Sequence, residues 1–477
     1  MKNRLRVVGV LLCALFSLIG CTTGPSEPKV TQASVAAEVQ PVTTVLSTIA
    51  VPDNSGKIRP DISNKAGSAP AVVNNISQIL FNNSGRGVAY IVEKSGKFHV
   101  VHNGATGKPY TTVLTPTLSP DGRHIAYAAY VDDKLRMVID GKEGQIADEI
   151  EPTFFSPDSR HTIYQAKIAG QWYFVVDDTK YPGLQTQHNR LVFSADSKKI
   201  CYVDSADDKS KPRLVVTDLT FKKQIAREAS GTLMVLSENK TRIAASSEIN
   251  NKQMVIEFNF ATPDIIKQGP LYDAITQLEI SRDGGAVAYV AQKNGKRVLV
   301  LNGNEKPYPD GTPVGPLVIR PDNKGVGFLM SSKRGTYWHQ AFYNDGTVEK
   351  QYDEVGELVY SKDGSMYAFL ARKEMNGKSG GTIFAVVNGK EGPKFDKILR
   401  PVFSPDGTRL IYRVRHGGKR FVVVSDTDGK VIRQHPDYEM VFQPVFTADG
   451  QYVAYGVKDG NKLIWKVEKL SGRYQRI

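Results

Sequence analysis

One ten-residue phrase recurs ten times along this chain, and no other feature restricts the fold as much. Its clearest copy is Phe403-Ser404-Pro405-Asp406-Gly407-Thr408-Arg409-Leu410-Ile411-Tyr412. Other copies open at Leu118, Phe155, Phe193, Leu236, Ile280, Ile319, Tyr360 and Phe446, with a degenerate first copy at Phe81. Successive openings lie 37 to 44 residues apart, which leaves no room for a foreign domain between them. A repeat of this period is one supersecondary unit that hides its apolar faces only against its neighbours.

Each position in the phrase has a physical task. The opening residue is large and apolar and ends a strand. Ser-Pro-Asp-Gly then makes a type I turn: Pro presets the backbone, Asp bonds locally and Gly relieves the exit. The next strand carries an apolar, a small and an aromatic residue, as in Val287-Ala288-Tyr289 and Val453-Ala454-Tyr455; the aromatic fails only at Ala245. Three successive non-polar positions predict burial on both faces of the strand. The small residues Ala126, Ala288, Gly327 and Ala454 suit places where neighbouring sheets approach closely. A second phrase follows in several repeats. Val138-Ile139-Asp140-Gly141-Lys142-Glu143-Gly144 and Val386-Val387-Asn388-Gly389-Lys390-Glu391-Gly392 contain the Asp-Gly and Asn-Gly pairs that hairpin turns prefer.

Strand, turn, strand, loop, strand, turn, strand every forty or so residues is the pattern of a propeller blade. The expectation is an all-β chain, a β-propeller of about ten four-stranded antiparallel blades over residues 72–477. A single large ring is favoured because the spacing is continuous; two tandem smaller rings are the alternative. The motifs resemble the WD40-like repeats of the TolB type, marked by Ser-Pro-Asp-Gly followed by a strand ending in Ala-Tyr. The resemblance covers roughly residues 72 to 477 and implies the fold. It departs from TolB in having no α/β domain before the propeller and in offering ten blades, not six, so TolB's partners do not transfer.

The N-terminus reads as an address. Lys2, Arg4 and Arg6 precede an apolar run from Val7 to Gly20, too short to cross the roughly 30 Å core of a bilayer comfortably. The run ends Leu18-Ile19-Gly20-Cys21, which resembles a bacterial lipoprotein signal, with Ile19 bulkier than usual at its place. The resemblance implies a signal over residues 1–20, cleavage before Cys21, lipidation of Cys21 and membrane attachment through that lipid. Thr22, not Asp, follows the cysteine, which favours the outer membrane facing the periplasm. Residues 21–71 read as lipidated Cys and flexible tether, although the β-branched stretch from Val42 to Ile49 could equally form a strand.

Three cysteines in 477 residues exclude a disulfide framework; with Cys13 removed and Cys21 lipidated, Cys201 has no partner. It occupies the place of Ala126 or Ala288, which predicts a small core residue. The eight turn aspartates, Asp121, Asp158, Asp283 and Asp406 among them, are explained by turn chemistry. Asp426-Thr427-Asp428-Gly429 lacks the later ligands of a calcium loop. His99 and His102 fall on opposite strand faces. His124 and His161 follow the turn in adjacent repeats, where they read as exposed loop residues more readily than as metal ligands. Trp172, Trp338 and Trp465 fall in third strands and are expected to pack within blades. No nucleophile elbow, His-Glu-x-x-His or phosphate loop occurs; no cofactor and no metal are expected.

Sixty-two Lys and Arg against forty-nine Asp and Glu give a net charge of +13, or +10 once the signal is removed. The loops between second and third strands become basic in the later repeats, at roughly +3, +2, +2, +4 and +1 for repeats six to ten. The contributors include Lys293, Lys296, Arg297, Lys333, Arg334, Arg372, Lys373, Arg413, Arg415, Lys419 and Arg420. Such a patch would dock an acidic protein or an anionic envelope component; nucleic acid is not expected outside the cytoplasm. The functional expectation is a lipid-anchored, extracytoplasmic, non-enzymatic scaffold for protein or envelope interactions. The alternative is an enzyme or small-ligand receptor using the central channel.

Overall fold

The computed structural model describes residues 42–48, 76–82, 84–183, 191–204, 213–228, 233–263, 266–334, 337–373 and 382–470. Among them are ten separate antiparallel sheets and no helix. Blade 1 sets the pattern: β2 (Ile76–Phe81), β3 (Val88–Lys94), β4 (Lys97–His102) and β5 (Ala105–Thr106) lie side by side in chain order. The same order recurs in blades 2 to 9, and in blades 2, 3, 7 and 10 the first strand is split into two short pieces. First strands of successive blades touch, as Glu354–Tyr360 does Lys397–Phe403, which sets them at the axis of the ring.

The sequence phrase maps onto local structure position by position. In the turn of blade 9, the Gly407 N–H donates to the Ser404 carbonyl at 2.9 Å, closing the type I turn. In the second turn of blade 1, Asn103 and Gly104 both take positive φ, +49° and +84°, the backbone that a two-residue hairpin demands. Second strands such as Val88–Lys94, Ile125–Val131 and Val287–Lys293 begin with five buried residues in a row, so both their faces are covered. The small positions sit where sheets meet: a Cβ added to Gly327 would come within 2.7 Å of the Phe342 ring and collide with the Tyr360 hydroxyl.

Ten apolar clusters hold the molecule together, and each spans one junction between neighbouring blades. The tenth joins Val88, Tyr90, Val92 and Val101 of blade 1 to Leu463 of blade 10, so the circle is closed and single. Closure is reinforced by Phe81 and Phe442, whose ring centroids are 4.6 Å apart, and by a 3.2 Å hydrogen bond shared by the Ser47 and Tyr90 hydroxyls.

Ser47 belongs to β1 (Val42–Thr48), which settles the choice left open between tether and strand. This segment pairs antiparallel with Lys462–Lys469 and supplies the fourth, outermost strand of blade 10. The ring therefore includes residues 42–48 ahead of the first repeat, and its last blade is completed by this N-terminal strand. Cys21 and the signal lie outside the described residues.

Candidate functional site

An up-and-down meander sends the Ser-Pro-Asp-Gly turns and the third-to-fourth turns to one face, here the turn face. The hairpins between second and third strands project from the other, the hairpin face. The basic residues of blades 6 to 9 follow this division, but most are held by neighbours. Lys293 pairs with Glu305 at 2.9 Å, Arg372 with Glu354 at 3.3 Å, Lys373 with Glu391 at 2.6 Å and Lys419 with Asp437 at 3.8 Å. Burial would raise the Glu391 carboxyl, but the Lys350 and Lys373 ammonium groups outweigh it and hold it at about 2. Arg413 and Arg420 donate to the carbonyls of Val441 and Glu439, each at 3.0 Å, and Arg297 lies 5.0 Å from the centroid of Tyr308. Burial, with Arg400 nearby, lowers the pKa of Arg413 from its ordinary value, so this residue sits between blades and not at a hairpin tip.

The side chain of Arg334 lies outside the described residues. Lys296, Lys333 and Arg415 are exposed and without an ion pair among the described residues. The loop count missed the acids that share this face. In the connections entering blades 3, 6, 9 and 10, Asp148, Asp273, Asp396 and Glu439 accept the backbone N–H groups of Gly170, Asn294, Gly417 and Gly460, at 2.7–3.1 Å. One acid thus caps the hairpin of each of these blades and offsets its cations. The signal was in the sequence as an acid directly after a recurring aromatic or small residue, in Ala147-Asp148, Tyr272-Asp273, Phe395-Asp396 and Tyr438-Glu439.

Trp338 differs from the expectation of packing. Trp465 is buried against blade 1 and Trp172 is half-buried, but Trp338 is 61% exposed. Its hairpin is the reason. The second and third strands of blade 7, Val326–Arg334 and Tyr337–Asn344, run nine and eight residues, against seven and six in blade 6. The added pair of residues on each arm raises the tip by about 7 Å. Trp338 is paired in register with exposed Lys333 on this raised tip, with Lys296 on the hairpin of the preceding blade.

The other sequence-derived candidates fall into structural places. Turn aspartates accept from buried serines, as Asp121 does from Ser119 at 2.6 Å and Asp406 from Ser404 at 2.5 Å. Asp426 organises its own hairpin by accepting the N–H groups of Asp428 and Lys430. Cys201 is fully buried and free, and burial pushes its thiol far up. His99 and His102 bond the carbonyls of Gly107 and Gly122. His124 lines a cleft on the turn face that His161 does not, and each histidine is bonded to an aspartate. Along the axis, Gln277 and Gln443 donate to the carbonyls of Gly315 and Arg400 in adjacent blades. Among the described residues Glu279, in a first strand, is the one carboxyl whose pKa burial raises, and no group of three metal-binding side chains converges.

No protein-family model matches the chain, and no curated protein matches it in sequence. Solved structures share its fold at a distance. A eukaryotic initiation factor is 13% identical, with a TM-score of 0.43 over 75% of this chain and 97% of that one. The propeller domain of the trilobed protease from Pyrococcus furiosus is 13% identical, with a TM-score of 0.33 over 60% and 99%. TolB from Acinetobacter baumannii is 14% identical, with a TM-score of 0.22 over 74% and 78%. Likenesses this distant add no functional argument; the propeller stands on its own ten sheets.

Proposed function

We propose that this chain is a lipid-anchored, extracytoplasmic scaffold that captures an acidic protein partner on its hairpin face. The observation that carries the reading is Trp338, a large aromatic 61% exposed at the tip of the longest described hairpin and paired with an unbridged lysine. Tryptophan beside a cation is the composition of a binding hot spot, where an apolar anchor desolvates and the charge guides encounter. Lys296 and Arg415 on flanking blades extend the positive rim.

The register of β1 places the residue at which the proposed tether would join the ring. Val42 lies opposite Val467 and Thr48 opposite Lys462, and Lys462 directly follows the hairpin loop of blade 10. Val42, the first residue of β1, therefore lies toward the turn side. With a lipid on Cys21, twenty residues join the anchor to the start of β1.

A photo-crosslinking residue placed at position 338 in intact cells, with a second at Lys362 on the turn face as control, tests the reading. The expected result is a discrete adduct from position 338, absent from 362, to a protein with an acidic surface. Trp338→Ala should weaken that complex about thirtyfold, and Lys333→Glu should slow its formation mainly at low salt. Equal crosslinking from both positions, or binding of phosphatidylglycerol vesicles in place of a protein, rejects it. Cys21→Ala should release the protein from membranes; retention would remove the anchor from the proposal.

A further inference from the structure

Two adjacent blades carry a feature that turn chemistry does not require. In blades 1, 6 and 8 the first residue of the third-to-fourth turn is an asparagine. Asn103, Asn302 and Asn388 each accept, through Oδ1, the N–H that opens the second strand, at 2.9–3.0 Å. Blades 2 and 3 place Asp140 and Asp177 there. One oxygen of each does the same work, accepting from Ile125 and Thr162 at 2.9 and 2.8 Å. The other oxygen takes Nδ1 of a histidine, His124 at 2.7 Å and His161 at 2.6 Å. Where the turn residue is Asn, the position of the histidine is Gly87, Ala286 or Met366. Blade 7 has Asp345 at this turn position with Gly325 at the place of the histidine, so the carboxylate occurs without an imidazole, but the imidazole is found there only in blades 2 and 3, each time beside a carboxylate.

The duplicated unit is Asp-x-Arg-His plus its aspartate. Asp121, Arg123, His124 and Asp140 are repeated 37 residues later as Asp158, Arg160, His161 and Asp177. Seven of the eight, all but His161, line one open cleft of about 740 Å³ on the turn face, with Ile139 and Phe155 as its apolar surface. Lys142 bridges to Asp178 at 2.6 Å, linking the outer turns of the two blades. Holding Nδ1 against a carboxylate fixes each ring and leaves Nε2 available to a ligand. Arg160 has no ion pair among the described residues, and Arg123 reaches Asp121 only at 3.9 Å.

The lining selects the ligand class. Five aspartates against three Lys or Arg make a strongly anionic ligand unfavourable. A bare cation would meet carboxylates already committed: Asp121 and Asp158 to serines and backbone N–H groups, Asp140 and Asp177 to histidines, and Asp178 to Lys142. Hydroxyl groups both donate and accept, so a polyhydroxylated molecule fits a surface that mixes guanidinium, imidazole and carboxylate over an apolar patch. Two like constellations on packed sheets, about 10 Å apart, match a ligand whose groups repeat along its length. We infer that the cleft between blades 2 and 3 binds a linear glycan, with Arg123, His124 and Arg160 contacting its sugars, Asp140 orienting the His124 imidazole and Asp177 facing the same cleft. The choice of an envelope glycan as probe rests on the extracytoplasmic reading; the chemistry of the cleft does not.

Because asparagine does the structural work in three sister blades, Asp140→Asn with Asp177→Asn separates binding from folding. Calorimetric titration of the full chain with peptide-free peptidoglycan glycan strands should show saturable binding. The double asparagine variant should melt as the parent does yet bind at least about tenfold more weakly, and Arg123→Ala with Arg160→Ala should abolish binding. Three results overturn the inference: no saturable binding of strands by the parent, parental affinity in the asparagine variant, or binding only of inorganic phosphate or Zn²⁺ in parallel titrations. The Trp338 crosslink reports on the opposite face, so either reading can fail without the other.

Discussion

At the scale of single residues, the turn that defines the repeat depends on more than proline, aspartate and glycine. Its serine is fully buried in blades 2, 3 and 8, and the hydroxyl both donates to the turn aspartate and accepts a backbone N–H five residues on. In blade 8 Ser361 donates to Asp363 at 2.6 Å and accepts from Met366 at 2.9 Å. Ser361→Ala leaves that partly buried N–H without its side-chain acceptor and should cost about 1–2 kcal/mol in urea unfolding; a loss below the error of the fit would deny the hydroxyl its role. Hydrogen bonds from Ser361 and Ser365 hold Asp363 at about 2, below the 3.8 of an unperturbed aspartate. A depressed carboxylate stabilises the fold fully above the unfolded value and ceases to do so as pH falls through the folded one. Unfolding midpoints should therefore drop between about pH 4 and pH 2, with a smaller drop in Asp363→Asn, and a parallel decline in both would contradict this.

At the scale of elements, strands, turns and blade number were legible because each is a local pattern repeated ten times. The close approach at Gly327 was legible for the same reason. What escaped was the pairing between elements distant in sequence. The charges of the hairpins were counted without Asp273, Asp396 and Glu439, which arrive from the preceding connections. The coincidence of Asp140 with His124, sixteen residues apart, is visible only once the second and third strands are laid side by side. Trp338 followed the packing expectation by its strand position and broke it because its hairpin is longer. Another such pairing sits at the junction of blades 9 and 10. His435 has a fully buried side chain and bonds Glu468, which also pairs with Lys466 at 3.0 Å. Burial would raise Glu468, yet His435 and Lys466 together hold it at about 2, while burial keeps His435 low and hence neutral. Glu468→Gln removes the counter-charge of Lys466 inside the junction and should cost roughly 3 kcal/mol. Guanidinium unfolding would measure it, and a neutral result would show that the junction rests on its apolar cluster alone.

At the scale of the whole molecule, a ring of ten similar sheets has one junction unlike the others. Nine blades supply their own fourth strand, but blade 10 borrows β1 from the far end of the chain. Through Leu46 and Ser47 this strand also reaches the cluster and the Tyr90 hydroxyl that join blade 10 to blade 1. The rest of that junction, Phe81 with Phe442 and Leu463 with Val88, does not depend on β1. Removing residues 42–48 should therefore open no other blade. It should uncover the outer edge of Lys462–Lys469, an unpaired strand that seeks another copy's edge. The expected outcome is a lower melting midpoint together with larger, concentration-dependent particles in light scattering. A deletion variant that keeps the parent's size and midpoint would mean that blade 10 closes the circle with three strands, and that β1 serves the chain before it and not the ring.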